Sequence, residues 1–392
     1  MIVTFWIALA IIVYTFLGYG LVLFIMVCIR RFIKGRRAFL SPDSLPSCSL
    51  VIAAYNEESF IREKIANTLE LEYETGKLEV VFVTDGSDDN TPGIISGFRQ
   101  IRLMHSPERK GKISAMHRAA ETITSEIIVF TDANTILNSK ALVNMARHYA
   151  DPEVGAVAGE KRIRVAGAAD AGTAGEGFYW KYESLLKRWD SELNTVVGAA
   201  GELFSVRREL YEPVPNDSIL DDFMISMLIA ARNKRVVYEP EAYAMEYASD
   251  NINEELKRKI RIAAGGIQSI LRLLPLLNLF RYGLLSFQYI SHRVLRWTIA
   301  PFLLVAVLLM NILIVLETNS PVYTLMLLAQ LLFYSLALAG LFLTNRRIRI
   351  KVFFIPYYFC VMNYAVISGM IRYFTSRQSA IWEKAVRKTA GS

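Results

Sequence analysis

Val80-Val81-Phe82-Val83-Thr84 runs into Asp85-Gly86-Ser87-Asp88-Asp89-Asn90-Thr91, and Ile127-Ile128-Val129-Phe130-Thr131 runs into Asp132-Ala133-Asn134. Each is a short apolar run, rich in β-branched residues, that ends in an acidic turn. Such runs read as buried parallel strands. Their carboxylates then fall at the strand ends, where open α/β sheets bind ligands. Outward from these two stretches, 49–54 and 101–104 read as further strands and 57–69, 91–98 and 112–122 as helices. Strands alternating with helices at this spacing predict βαβ units and a parallel sheet, and right-handed crossovers put the strand ends on one edge. Beyond them, 153–165 reads as more sheet, 176–194 as an aromatic, charged helix, 203–206 as a strand, 221–232 as a helix, and 236–238 and 242–245 as two short strands.

The 392 residues are 53% hydrophobic and 21% charged. That is too apolar for an ordinary soluble enzyme and too charged for a pure membrane bundle, so one soluble domain with several spans fits. The stretches 2–29, 297–316, 318–345 and 352–371 carry no charge; each can cross about 30 Å of hydrocarbon. The first lacks a basic start and is longer than a signal-peptide core, so a retained anchor is expected. Arg30, Arg31, Lys34, Arg36 and Arg37 follow it, which puts the soluble domain in the cytoplasm and the N-terminus outside. Three later spans would leave the C-terminus outside, yet Arg372, Arg377, Lys384, Arg387 and Lys388 favour the inside. Pro356 and Asn363 interrupt the last stretch, which reads either as a span or as a re-entrant segment.

The resulting plan has a span at 1–29, then a basic linker at 30–46 closed by Ser41-Pro42-Asp43-Ser44-Leu45-Pro46. An α/β domain follows at 47–250, amphipathic interfacial helices at 251–296, three spans at 297–371 and a basic tail at 372–392. The net charge of +7 sits beside apolar segments rather than on a patterned basic face, so membrane lipids, not nucleic acid, are the expected partners. Cys28, Cys48 and Cys360 show neither metal spacing nor a disulfide framework, in keeping with a reducing compartment.

Asp132 and Asn134, two oxygen donors two residues apart, suit one hard divalent cation; the same turn also reads as a solvated, capping loop. Asp85 suits a nucleobase or ribose, with Tyr55 and Glu57 on the same sheet edge. Arg109-Lys110-Gly111-Lys112 opens a helix, a place that favours a diphosphate or a solvated basic turn. Asp221 and Asp222 begin another helix, where acids either complement the helix dipole or supply a general base. Arg258 and Arg261 share a helix face and suit either a diphosphate or lipid phosphates. Trp180, with Tyr179 and Trp189, suits either core packing or a sugar ring.

In this order, from about 49 to 266, these residues resemble the membrane-bound members of glycosyltransferase family 2, the group of cellulose, hyaluronan, chitin and poly-N-acetylglucosamine synthases. The resemblance implies a GT-A-like, Rossmann-like cytosolic domain flanked by transmembrane helices. It implies that Tyr55, Glu57, Asp85 and Lys112 contact the donor, and that Asp132 and Asn134 hold Mg²⁺ or Mn²⁺. It further implies Asp222 as the catalytic base, Gly201 in the acceptor wall beside Asp221, and Arg258 and Arg261 as the first and fourth positions of a Gln/Arg-x-x-Arg-Trp motif. Two positions depart from the family pattern: Asn134 stands for an acid, and Ile262 for the tryptophan.

The expected reaction is inverting transfer of a hexose from a nucleotide-sugar, UDP-linked, to a growing polysaccharide at the cytoplasmic face of the cell membrane. An accessory export subunit is a further expected partner. A single transfer to a lipid acceptor and a catalytically silent, nucleotide-sugar-binding partner are the alternatives.

Overall fold

The computed structural model describes residues 1–35, 37, 44–164, 173–247, 252–346 and 350–375. Ser41, Pro42 and Asp43 of the breaker cluster and the basic tail from Arg377 onward lie outside the described residues. The chain divides into two compact units: one holds 30–166 and 187–252, the other 1–29, 167–186 and 253–378.

The first unit is built on one sheet of eight strands: β1 (Cys48–Ala54), β2 (Leu78–Asp85), β3 (Arg102–Ser106), β4 (Ile127–Asp132), β5 (Thr135–Leu137), β6 (Val154–Arg164), β7 (Leu203–Arg207) and β8 (Arg235–Tyr247). Their order is β3-β2-β1-β4-β7-β6-β8-β5. The first four are parallel, with Ala54 opposite Thr84 and Ala53 opposite Asp132. The turns after β1, β2 and β4 therefore leave from one edge. β7 runs antiparallel between β4 and β6. The apolar runs that define these strands are buried: Leu50, Ile52, Phe82, Ile127 and Val129 are each fully enclosed.

Three elements differ from the sequence reading. The helix expected from 57 begins at Ile61. Asn56 turns the chain with φ +53°, and the Glu57 and Glu58 N–H groups donate instead to Thr91 Oγ1 and Asp89 Oδ2, at 2.9 and 3.1 Å. The two short strands expected at 236–238 and 242–245 are one strand, β8. It pairs with β6 across a register shift that places Tyr238 opposite Ala158 and Tyr243 opposite Glu160. The interfacial helices expected over 251–296 are more broken than that: after helix Ile252–Arg272 come Leu279–Tyr282, Leu284–Tyr289 and a π-turn at Ile290–Val294. Gly283, at φ +50°, separates Leu279–Tyr282 from Leu284–Tyr289.

The helices long and apolar enough to cross a membrane belong to the second unit, except that the first of them ends in the other unit. Four such helices occur among the described residues: Ile2–Lys34, Ala300–Thr318, Pro321–Thr344 and Lys351–Phe374. The last runs on through Pro356. Helix Thr173–Leu193 brings Glu183 into a buried charge cluster, where Arg293 Nη1, Arg296 Nη1 and His292 Nε2 lie 2.8, 2.9 and 3.2 Å from its carboxylate. Burial disfavours the charged form of Glu183, but Arg293, His292 and Arg296 outweigh it and hold its carboxyl well below the usual range.

Candidate active site

The turns after β1 and β2 are laced together. Asn56 Oδ1 accepts from the Asp88 N–H at 3.0 Å, and Asn56 Nδ2 donates to the Asp88 carboxylate. Gly86 adopts φ +66°, and a Cβ there would lie 2.8 Å from the Arg109 backbone, so both the turn and the close approach require glycine. That approach lets Asp85 Oδ2 accept the N–H groups of Lys110 and Gly111 at 2.9 and 2.6 Å. Asp85 Oδ1 is buried with no hydrogen-bond partner among the described residues, 3.7 Å from Arg118 Nη1. The result is a cleft at the sheet edge lined by Ala53, Tyr55, Asp85, Arg109, Gly111 and Lys112. The Arg109 guanidinium lies 3.8 Å above the Tyr55 ring. Glu57 is buried and is not among the residues that line the cleft.

Lys112, the first residue of helix Lys112–Thr122, extends to the end of β4 and donates to Asp132 Oδ1 at 2.6 Å. Gly201, in the turn before β7, faces the same place. A Cβ on it would lie 3.4 Å from the Asp222 carboxylate and 3.7 Å from Lys112 Nζ. Asp221 and Asp222 open helix Asp221–Ala231. Ser226 ties that helix to the glycine turn: its Oγ accepts from the Ala199 N–H at 2.9 Å and donates to the Asp222 carbonyl at 2.7 Å. The structure thus brings Lys112, Asp132, Gly201 and Asp222 together in one unit. Trp180, Arg258 and Arg261 belong to the other unit. There Trp180 lies edge-on to Tyr179, and Arg258 is paired to Glu255 through two bonds of 3.0 and 3.1 Å.

Charge in the site is unbalanced. Lys161 of β6 is buried between Glu202 and Glu246 and pairs with both. These two acids act in turn on Asp132, and Glu202 acts on Asp222. Burial raises the Asp132 carboxyl, Glu202 and Glu246 add to the effect, and Lys112 opposes it. Burial, then the neighbouring Asp221, pushes the Asp222 carboxyl up to about 7. Lys112 is held charged: burial disfavours its ammonium, but Asp132, Asp221 and Asp222 outweigh it. Five carboxylates (Asp132, Asp221, Asp222, Glu202, Glu246) thus gather around two ammonium groups (Lys112, Lys161).

Glu202, Lys161 and Glu246 did not emerge from the sequence. Only the place of Glu202, directly after the Gly198-to-Gly201 turn, hinted at the site.

Residues 49–214 match the family model for glycosyl transferase family 2. Poly-beta-1,6-N-acetyl-D-glucosamine synthase of Staphylococcus aureus (strain COL) is 27% identical over 252 residues, which is 62% of this chain and 60% of that protein. The protein of the same name from Staphylococcus epidermidis is 26% identical over 234 residues, 57% of this chain and 55% of that protein. The match thus spans less than two thirds of these relatives' length. Among solved structures, a mannosyltransferase from Pyrobaculum calidifontis in complex with GDP-Man and Mn²⁺ shares the fold, with TM-score 0.71, 23% identity and coverage of 95% of this chain and 99% of that one. Asp221, Asp222 and β8 lie beyond the matched stretch; the two acids open a helix and β8 belongs to the same sheet. Residues 49–214 thus match a glycosyl transferase family 2 domain, and the chain shares its GT-A-like mixed α/β fold with a solved glycosyltransferase.

Proposed function

We propose that the protein transfers a hexose with inversion from a nucleotide-sugar to a hydroxyl of a growing polysaccharide, at the cytoplasmic face of the cell membrane. The observation that carries this reading is the convergence of Asp132, Lys112 and Asp222 beside Gly201, with Lys112 also lining the strand-end cleft. The cleft would take the nucleotide, with Asp85, which lines it, as an acceptor for a base N–H. Asp222 removes the proton from the acceptor hydroxyl, whose oxygen attacks the anomeric carbon as the C–O bond to the diphosphate breaks. A carboxylate raised to about 7 is matched to that task near neutral pH. Lys112 neutralises part of the negative charge on the leaving diphosphate. Inversion of an α-linked donor gives a β-linkage, in keeping with the name of the staphylococcal relatives.

The residues fit a divalent cation. The acids outnumber the ammonium groups in the site, which favours a bound cation. Among the described residues no three acids, histidines or cysteines converge as a ready-made cage. Asp132 and the Asn134 amide oxygen would hold the ion from the protein side, with diphosphate and water completing its shell, as suits Mg²⁺ or Mn²⁺. When bound, it would stabilise the charge that develops on the departing diphosphate.

The four apolar helices support membrane anchorage. One observation favours transfer to a lipid acceptor instead: Ile262, where processive relatives place a tryptophan, is substantially exposed. Purified full-length protein in detergent, given a panel of UDP- and GDP-sugars with Mn²⁺, tests both readings by mass spectrometry of the products. Chains of many sugars support the polysaccharide reading and single-sugar lipid products the other. No nucleoside diphosphate release from any donor would reject transferase activity and leave a donor-binding partner.

A further inference from the structure

The structure encloses a charged side chain that no step above uses. Lys64 is fully buried (0% exposed) on helix Ile61–Leu69. Its ammonium donates to the Thr135 carbonyl at 2.8 Å and lies 3.5 Å from Thr135 Oγ1. Both are neutral acceptors. Burying an ammonium without a carboxylate partner is costly, and burial pushes Lys64 down to about 7, against the pull of Asp132. An apolar residue would fill this place at lower cost. Its position shows what it could be for. Thr135 directly follows Asp132-Ala133-Asn134, and its hydroxyl donates back to the Asp132 carbonyl at 2.9 Å, closing the turn.

One helical turn further on, Asn67 holds the same segment from the same face. Its amide nitrogen donates to the Leu137 carbonyl and its amide oxygen accepts the Leu137 N–H, both at 2.8 Å. Asn67 thus acts as a strand partner for one side of β5, whose other side pairs with β8. A three-residue edge strand has little stability of its own, so the turn before it would be poorly fixed without this clamp. The effect reaches further. Thr131 Oγ1 lies 3.1 Å from Thr135 Oγ1 and donates to the Glu202 carbonyl at 2.8 Å, one residue from Gly201.

We propose that Lys64, with Asn67, is a positioning residue that sets the backbone of the Asp132-to-Thr135 turn and thereby the affinity of Asp132 and Asn134 for a divalent cation. This rests on the reading of that turn as the cation-holding one. The test uses the full-length protein in detergent with UDP or GDP. Bound Mn²⁺ is measured by loss of the free-ion electron paramagnetic resonance signal, alongside the Mn²⁺ dependence of turnover. Substitutions behind metal ligands weaken binding by about 10–100-fold. Lys64→Met should therefore raise the Mn²⁺ half-saturation about tenfold or more, with kcat at saturating Mn²⁺ within about twofold of wild type.

Lys64→Gln, which keeps a donor and loses the charge, should recover much of the binding. Asn67→Ala should shift it in the same direction without touching the lysine, and serves if Lys64→Met does not fold. Folded variants with unchanged Mn²⁺ binding, or with lower kcat and unchanged half-saturation, would overturn the proposal. A wild-type protein that binds nucleotide but no Mn²⁺ would overturn the cation reading and this inference with it.

Discussion

Asp222 and Asp221 are consecutive, and the charge of Asp221 is one reason that Asp222 holds its proton up to about 7. A general base works only when deprotonated, so kcat/KM should rise with pH and level off above about 7, falling roughly tenfold per unit below it. Asp221→Asn removes a negative neighbour, which favours the carboxylate of Asp222. The limb of the profile should move to lower pH, as a pH–rate series on both proteins would reveal; a shift upward would mean that the titrating group lies elsewhere. At Gly201 the constraint is space, since a methyl there would lie 3.4 Å from the Asp222 carboxylate. Gly201→Ala should raise the acceptor KM more than it changes donor binding, measured by separate titration of the two substrates. At this scale the sequence was legible where chemistry and local order coincide, as in Asp132-Ala133-Asn134 and Asp221-Asp222. It was silent on Lys161 and Glu246, because their pairing depends on the registry of β6 with β8, strands far apart in the chain.

At the level of elements, β1 to β4 and helix Lys112–Thr122 could be read directly, because continuous apolar runs and a clean amphipathic period belong to the segment itself. The errors came where tertiary partners override the local pattern. The first turn of the helix expected at 57 is lost to bonds with Asp89 and Thr91. The two strands expected at 236–238 and 242–245 are one, because the chain accommodates Pro240 in the bulge opposite Gly159. The helix Thr173–Leu193 depends on one acid in the same way. Glu183 is almost fully enclosed and gathers Arg293, Arg296 and His292 from the segment around the π-turn. Glu183→Ala would leave two guanidinium groups without their buried partner, a change that costs about 3–5 kcal/mol. Thermal unfolding in detergent should show a clearly lowered midpoint, whereas an unchanged midpoint would mean that this cluster contributes no stability.

Across the whole molecule, one unit supplies a sheet with a charged cleft and the other supplies apolar helices. The central claim concerns the first alone: Asp222 is the base of a glycosyl transfer whose donor sits at the ends of β1, β2 and β4. The direct test is Asp222→Asn, with nucleotide binding and sugar transfer measured on the same preparation. The account predicts nucleotide affinity within about threefold of wild type, because the cleft is formed by other residues, and transfer reduced by about 10²–10⁴-fold. Transfer at the wild-type rate in the folded variant would contradict it.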